Sequence, residues 1–315
     1  MSLANVSAEM GGQPAIADLA APSSGRDIRR RTVLRAILRN PAAVLGIALL
    51  AVIIAMALLA PIIAPGDPLG IVGPPRLWPG ENAAFPLGTD ALGRDVLSGV
   101  IHGARVSLLV GLASTALGIM GGIAIGAIAG FYGRWVDDLI VRFIEIFQTI
   151  PGFVLLVVLV AIAQPSITTV IIGIALVSWD TIARLARSEF RSLREKDFVA
   201  AAIGAGFRHR HIMLREIFPN ALPPLMVTAS IMVASAILNE SALSFMGLGD
   251  PNVISWGSMI GSGRELLRTH WYLTAIPGGF VALTVLSLNL IGDGLNDALN
   301  PHLREARGMS RLVGF

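Results

Sequence analysis

What most constrains this chain is a series of uncharged apolar stretches, each about as long as a helix must be to cross a bilayer. A hydrocarbon core of about 30 Å takes roughly 20 helical residues, and within it every backbone N–H and C=O must be paired inside the segment. Six windows meet that demand. The first runs from Pro41 to Ala64 and stops at "APGDP", the second from Ser107 to Tyr132, and the third from near Asp138 to the "QPS" break at Gln164 and Pro165. The fourth covers Ile167 to Ala186, the fifth Pro224 to Gly249 and the sixth Trp271 to Gly292. With 54% hydrophobic and only 14% charged residues in 315, little is left over for a separate soluble domain. The expected fold class is therefore all-α, a polytopic bundle of six transmembrane helices. The chain has no cysteine, so helix packing alone must hold it, and thiolate metal sites are excluded.

The basic residues set the orientation. With the N-terminus inside, 19 of the 24 basic residues fall on the inner side, and only Arg76, Arg94, Arg105, Arg264 and Arg268 fall outside. Both termini are thus expected in the cytoplasm. The expected organisation is a cytoplasmic tail over 1–40, a first transmembrane helix over 41–64, and an external segment with an interfacial helix over 65–106. A core of five helices over 107–300 follows, with a cytoplasmic loop at 187–223, and then a cytoplasmic tail over 301–315. The first 25 residues, rich in Ala, Ser, Gly and Pro, hold no apolar run of signal-peptide length and read as a disordered tail.

Several local patterns stand out against this background. Gly118, Gly122, Gly126 and Gly130 recur at every fourth position of the second window, with Ser114 extending the row. Such a stripe lets another helix backbone approach closely, and either plain helix packing or a pore lining would use it. In "GTDALGRDVLSGVIHGARVSL", Thr89 or Asp90 is placed to cap an interfacial helix whose apolar face carries Leu92, Val96, Val100 and Ile101. That helix either helps to dock an external partner or simply leads into the second span. Glu240, beside Asn239, is the carboxylate set deepest in the fifth window. It serves either the translocation path or outer gate, or a buried hydrogen bond between helices. Arg184, Arg187, Arg191 and Arg194 share one face if the fourth helix continues into the cytosol, where they meet anionic headgroups, a partner or solvent. In "GDGLNDALNP", Asp293 and Asp297 are expected at the cytoplasmic end of the sixth span, which the Gly-Asp-Gly punctuation should stop.

The polar intruder is "DFVAAAIGAGFRHRHIMLREIFPNALPP", Asp197 to Pro224. Ala200, Ala201 and Ala202 offer a small-residue helical surface, Gly204 and Gly206 permit a sharp turn, and Phe207, Ile212, Met213 and Ile217 are apolar anchors among basic residues. Pro219 should interrupt the helical hydrogen bonding, with Pro223 and Pro224 bending the chain back toward the membrane. There is no GxxxxGK[ST] phosphate loop, since Lys196 is followed by Asp197, and there is no HExxH or GxSxG. ATP binding through a phosphate loop, metalloprotease chemistry and serine hydrolysis are excluded, and no metal site is expected.

That passage resembles the permease signature of ATP-binding cassette importers, Glu-Ala-Ala, three residues, Gly, nine residues, Ile-x-Leu-Pro. Ala200, Ala201 and Ala202 fall on Glu-Ala-Ala, Gly206 on Gly, Glu216 on Ile, Phe218 on Leu and Pro219 on Pro. Ala200 thus stands where the signature carries Glu. "NPAAVLGIALL", "FPLGTDALGRDVLSGVIHGARVSLLVG", "NESALSFMGLG" and "LNLIGDGLNDALNP" resemble, in that order over residues 38–302, the second permease of the dipeptide, oligopeptide and nickel branch. The resemblance implies a bacterial inner-membrane subunit that forms a pathway with a second homologous permease, served by an external substrate-binding protein. It also implies two ATPase subunits that bind ATP and Mg on its behalf. Asp197, Ala200, Ala201, Ala202, Gly206, Phe207, Arg208 and Pro219 would then be the ATPase-coupling residues. Peptides, glutathione-like compounds, opines and nickel remain open as substrates. The alternative class is a stand-alone secondary transporter or channel.

Overall fold

The computed structural model describes residues 36–299. The tails before and after, with their arginines, lie outside the described residues. Among the described residues there is no β-strand, and five helices are long and apolar enough to cross a membrane, or six if one bent pair counts as a span.

Helix α1, Pro41–Leu58, begins at Asn40, whose side-chain oxygen accepts from Ala42 N at 3.1 Å and Ala43 N at 3.4 Å. Pro41 sits at the first helical position, where a missing N–H costs nothing. One more turn, Ala60–Ile63, completes the first expected span. The next helix differs from expectation. In place of an interfacial helix followed by a separate span, a single helix α2 runs Val96–Tyr132 for 37 residues, about 55 Å at 1.5 Å per residue. No proline interrupts it. Its cap is Asp95, which accepts from Leu97 N and Ser98 N at 3.1 Å each. Thr89 instead braces the loop before α2, donating to Pro74 O at 2.5 Å and accepting from Leu77 N at 3.0 Å. Asp90 accepts from Leu92 N and Arg94 N in the same loop.

The third expected span is two helices, α3 (Arg134–Gln148) and α4 (Gly152–Ala163), bent by 77°. The break lies at Pro151, which lacks an N–H to continue the ladder and pushes the residue before it out of helical conformation. Ser166 then caps α5, Ile167–Arg194, accepting from Thr169 N at 3.1 Å. After α6, Asp197–Gly204, a turn at His209–His211 and a π-helical turn at Ile212–Ile217 lead into α7, Phe218–Phe245. A short helix α8, Trp256–Gly263, precedes α9, Tyr272–Leu299. The Gly-Asp-Gly run does not stop α9. Gly292 and Gly294 are held inside the helix because they admit Ser230 of α7 and Ala43 of α1 at close range, which offsets glycine's entropic cost of about 1 kcal/mol. Asn40 Nδ2 also donates to Asp297 Oδ2 at 3.2 Å, tying the start of α1 to the end of α9.

The α2–α5 seam is the most extensive helix pairing among the described residues. The glycine row lies in it. A Cβ on Gly118 would come 3.1 Å from Ser178 Oγ, and one on Gly122, Gly126 or Gly130 would collide with the backbone oxygen of Trp179, Ala183 or Arg187. Large apolar side chains such as Val52 (67% exposed), Met120 (71%) and Ile162 (79%) point away from the bundle, as suits a lipid surround.

Candidate functional site

The segment that follows α5 projects from one end of the bundle. Only Glu195 and Lys196 separate α5 from α6. Val199 and Ala202 are buried against Phe131, Phe190, Ile212 and Ile217, whereas Asp197, Ala200, Ala201 and Ile203 face outward. The three-alanine surface is therefore split. Ala202 packs on its own bundle because residues two apart on a helix point to nearly opposite sides, about 200° apart. Ile212 and Ile217 likewise anchor the segment to its own core rather than to a partner, and both are fully buried. The exposed apolar groups are Phe198, Ile203, Phe207 and Leu214. Phe207 lies flat on His211, with ring centroids 4.7 Å apart. Of the basic residues, Arg208 is exposed and precedes the His209 turn.

Helix α6 ends in a Schellman turn. Phe207 N bonds Ala202 O at 3.1 Å, Gly206 N bonds Ile203 O at 3.0 Å, and Gly206 takes φ +79°. An L side chain there would be strained, so glycine is the fitting residue. Pro219 does not interrupt the helix as the sequence pattern predicts. The π-helical turn widens the path by one residue, with Phe218 N bonding Met213 O five residues back, and the chain from His209 to Phe245 reads as one helical path. Asn220 Nδ2 covers Glu216 O beside the proline at 2.7 Å.

The arginine face is divided as well. Arg184 Nη1 donates to Gln148 Oε1 at 3.2 Å, and Gln148 Nε2 donates to Asp180 Oδ2 at 2.5 Å. Arg187 forms a two-pronged pair with Asp137 of α3, with Nη2–Oδ2 at 2.7 Å and a second, shorter Nε–Oδ1 contact. Arg191 and Arg194 remain exposed.

Far from this end, Glu240 is 3% exposed. Ser107 Oγ of α2 donates to its Oε2 at 3.0 Å, and Ser244 Oγ of α7 donates to its Oε1 at 2.8 Å. Trp256 N of α8 reaches Ser107 Oγ at 3.4 Å, and the indole Nε1 donates to Val100 O at 2.9 Å. The carboxylate thus joins three helices. The cavity beside it within this chain is only about 10 Å³, the limit for a single water. Asn239 is half-buried next to it. The segment after α5 and Glu240 are not brought together; they lie at opposite ends of α7. No cluster of three or more His, Cys, Asp or Glu suited to a metal occurs among the described residues.

A helical bundle with one long glycine seam and a projecting hairpin matches a known family. The family described as "binding-protein-dependent transport system inner membrane component" matches residues 122–305, more than half of the chain. The chain belongs to this family. It is thus an inner-membrane, multi-pass permease subunit. A second family, the N-terminal transmembrane domain of oligopeptide transport permease C, matches residues 29–75. The permease is 39% identical over 273 residues to the di/tripeptide transport system permease protein of Pseudomonas aeruginosa, covering 85% of this chain and 90% of that one. It is 35% identical over 275 residues to the dipeptide transport system permease protein of Alkalihalophilus pseudofirmus, covering 87% and 90%. In fold it is similar to an inward-facing MetNI methionine ABC transporter structure, with TM-score 0.54 at 16% identity, covering 64% of this chain and 96% of that one. A stand-alone secondary transporter or channel is not favoured by this membership.

Sequence reasoning missed α8. Its signal was present in "SWGS": Ser255 and Ser258 form a reciprocal capping box, with Ser258 N bonding Ser255 Oγ at 3.2 Å and Ser255 N bonding Ser258 Oγ at 2.9 Å.

Proposed function

We propose that this permease passes di- or oligopeptides inward, forming the pathway with a second homologous permease and drawing on two ATPase subunits that bind ATP and Mg. In this reading the chain has no ATPase site of its own, an external binding protein delivers the substrate, and both termini lie in the cytoplasm. The single observation that carries the reading is the short helix and glycine turn after α5. The eight-residue helix and its Schellman turn put exposed Phe198, Ile203 and Phe207 just beyond the bundle, two residues from a helix of 28. Such an element suits a cleft on a partner. Asp197, Ala200, Ala201, Phe207 and Arg208 would contact the ATPase, Gly206 would set the turn, and Ala202 and Pro219 would hold the hairpin to the bundle. With Ala200 in place of a carboxylate, docking would rest on shape and on Asp197 and Arg208. Glu240 and Asn239 would fix α8 at the outer end, and the glycine row would weld α2 to α5.

The test is uptake of labelled dipeptides into proteoliposomes that hold the whole complex. Uptake that needs ATP, the binding protein and this subunit is the expected result. Ion-driven uptake by this chain alone would overturn the reading.

A further inference from the structure

At the end of the bundle that carries α6, a cavity of about 380 Å³ opens between the last turns of α2 and α5 and the start of α3. Tyr132, Gly133, Arg134, Arg191, Arg194 and Glu195 line it. Asp137 also lines it; Arg187 engages this carboxylate in an ion pair, and Arg191 is close enough to act on it through its charge. Arg134, Arg191 and Arg194 form no salt bridge among the described residues. Arg194 is nonetheless held in place. Its guanidinium lies 5.6 Å from the centroid of the Phe131 ring, and its Nη1 sits 3.4 Å from where a Cβ on Gly133 would be. Three arginines therefore face one uncommitted carboxylate, Glu195, around a space large enough for a phosphate group.

A second feature adjoins this cavity. Helix α3 starts at Arg134, and Trp135, Leu139, Phe143 and Ile146 form a stripe along it, exposed by 73%, 63%, 53% and 68%. Asp138, Arg142 and Glu145 flank the stripe. Helix α4 carries 12 uninterrupted apolar residues, about 18 Å and too short to cross the core alone, and α3 turns from it by 77°. An exposed amphipathic helix at the end of a bundle is suited to rest its apolar side at the boundary between headgroups and acyl chains. Tyr132 and Trp135 are the aromatic types that gather at this level.

We propose that the cavity binds the phosphate headgroup of an anionic phospholipid of the inner leaflet, with the acyl chains lying along the Trp135–Ile146 stripe. The choice of leaflet rests on the orientation given under the proposed function. The shared chemistry is a phosphate. Free phosphate would satisfy the arginines and leave the stripe bare, and a protein neighbour would cover the stripe without calling for three unpaired arginines. A phospholipid meets both features at once, and basic pockets between helices on the cytoplasmic side suit such headgroups.

The test uses the assembled complex in nanodiscs of phosphatidylcholine doped with phosphatidylglycerol, with retained lipid counted by native mass spectrometry. Phosphatidylglycerol should be enriched over phosphatidylcholine. The double variant Arg191→Gln/Arg194→Gln should lower that enrichment on the order of 10-fold, and Arg215→Gln, on the same end but outside the cavity, should not. Equal retention by the double variant and the unchanged complex would overturn the proposal. So would thermal protection by inorganic phosphate alone without phosphatidylglycerol enrichment. In this cysteine-free chain, Leu139→Cys gives a third reading. Labelling by a membrane-soluble maleimide in the assembled complex supports a lipid-facing stripe, and labelling seen only when the partner subunits are left out assigns the stripe to protein and refutes it. None of these measurements depends on peptide uptake, so failure here and failure of the transport reading are told apart.

Discussion

Replacing Gly206 separates backbone conformation from bulk at the hairpin. A Cβ at this position meets nothing within 4 Å in the chain itself, so the cost of a side chain is the left-handed backbone at φ +79°. For an ordinary L-residue that is about 1–2 kcal/mol, and for a β-branched one at least as much. At 1.4 kcal/mol per factor of ten, Gly206→Val should depopulate the Schellman turn roughly 5- to 30-fold. Asn tolerates the same backbone, so Gly206→Asn should cost only a fraction of that while adding comparable bulk. The assay is peptide uptake per ATP hydrolysed by the reconstituted complex, with membrane insertion checked by yield. Gly206→Val should hydrolyse ATP with reduced uptake, and Gly206→Asn should keep most of its coupling. If Gly206→Asn uncouples as strongly as Gly206→Val, space on the partner side governs this position and the backbone reasoning is wrong. If both remain coupled, the turn has no part in transmission.

Three other outcomes follow from the packing. Glu240→Gln leaves one of the two serine donors without its acceptor and should lower thermal stability by about 1–3 kcal/mol with uptake preserved at moderate temperature; lost uptake at full stability would instead make Glu240 part of the path. Gly126→Leu overfills the α2–α5 seam and should destabilise by about 1–3 kcal/mol or more in a thermal melt, whereas Gly121→Ala, where a Cβ meets nothing within 4 Å, should stabilise by about 0.5–1 kcal/mol through the higher helix propensity of alanine. Asp137→Asn weakens the two-pronged pair with Arg187, whose side chains are 12% and 27% exposed. A loss of about 1–2 kcal/mol is expected, and the swap Asp137→Arg/Arg187→Asp should recover part of it in the same melt.

How much of this was legible depended on whether a feature was local. The first span was readable to within a residue because Asn40 and Pro41 announce its start and its apolar run has no competitor. The four-residue glycine spacing was plain, but its partner was not, since only packing reveals that α5 presents Trp179, Ala183 and Arg187 to it. Prolines were the main source of error. Pro151 broke a span that hydropathy alone joins, and Pro219 left intact a helix that it was expected to interrupt, because a π-helical turn absorbed the missing N–H. Whether a proline breaks a helix is decided by the pairing available to its neighbours, which composition does not record. The segment after α5 showed its glycine turn in sequence and concealed the fact that Ala202, Ile212 and Ile217 face their own bundle. Glu240 was visible as an oddity, and the serines that hold it, 133 residues away in the case of Ser107, were not.

Helices α2 and α5 have a mechanical consequence. Glycine contact from Gly118 to Gly130, about 20 Å of their seam, leaves no soft layer between the two backbones there, so the pair should resist shear and turn as one beam. A tilt of about 10° about the middle of a 55 Å rod displaces each end by about 5 Å. Because only two residues link this beam to α6, a force applied to the hairpin has little slack to take up before the beam turns. Its far end carries Asp95 and the braced loop before α2, and Ser107 ties it to Glu240. If α6 docks on a partner as proposed, displacement imposed at that end would reach the other through stiffness alone.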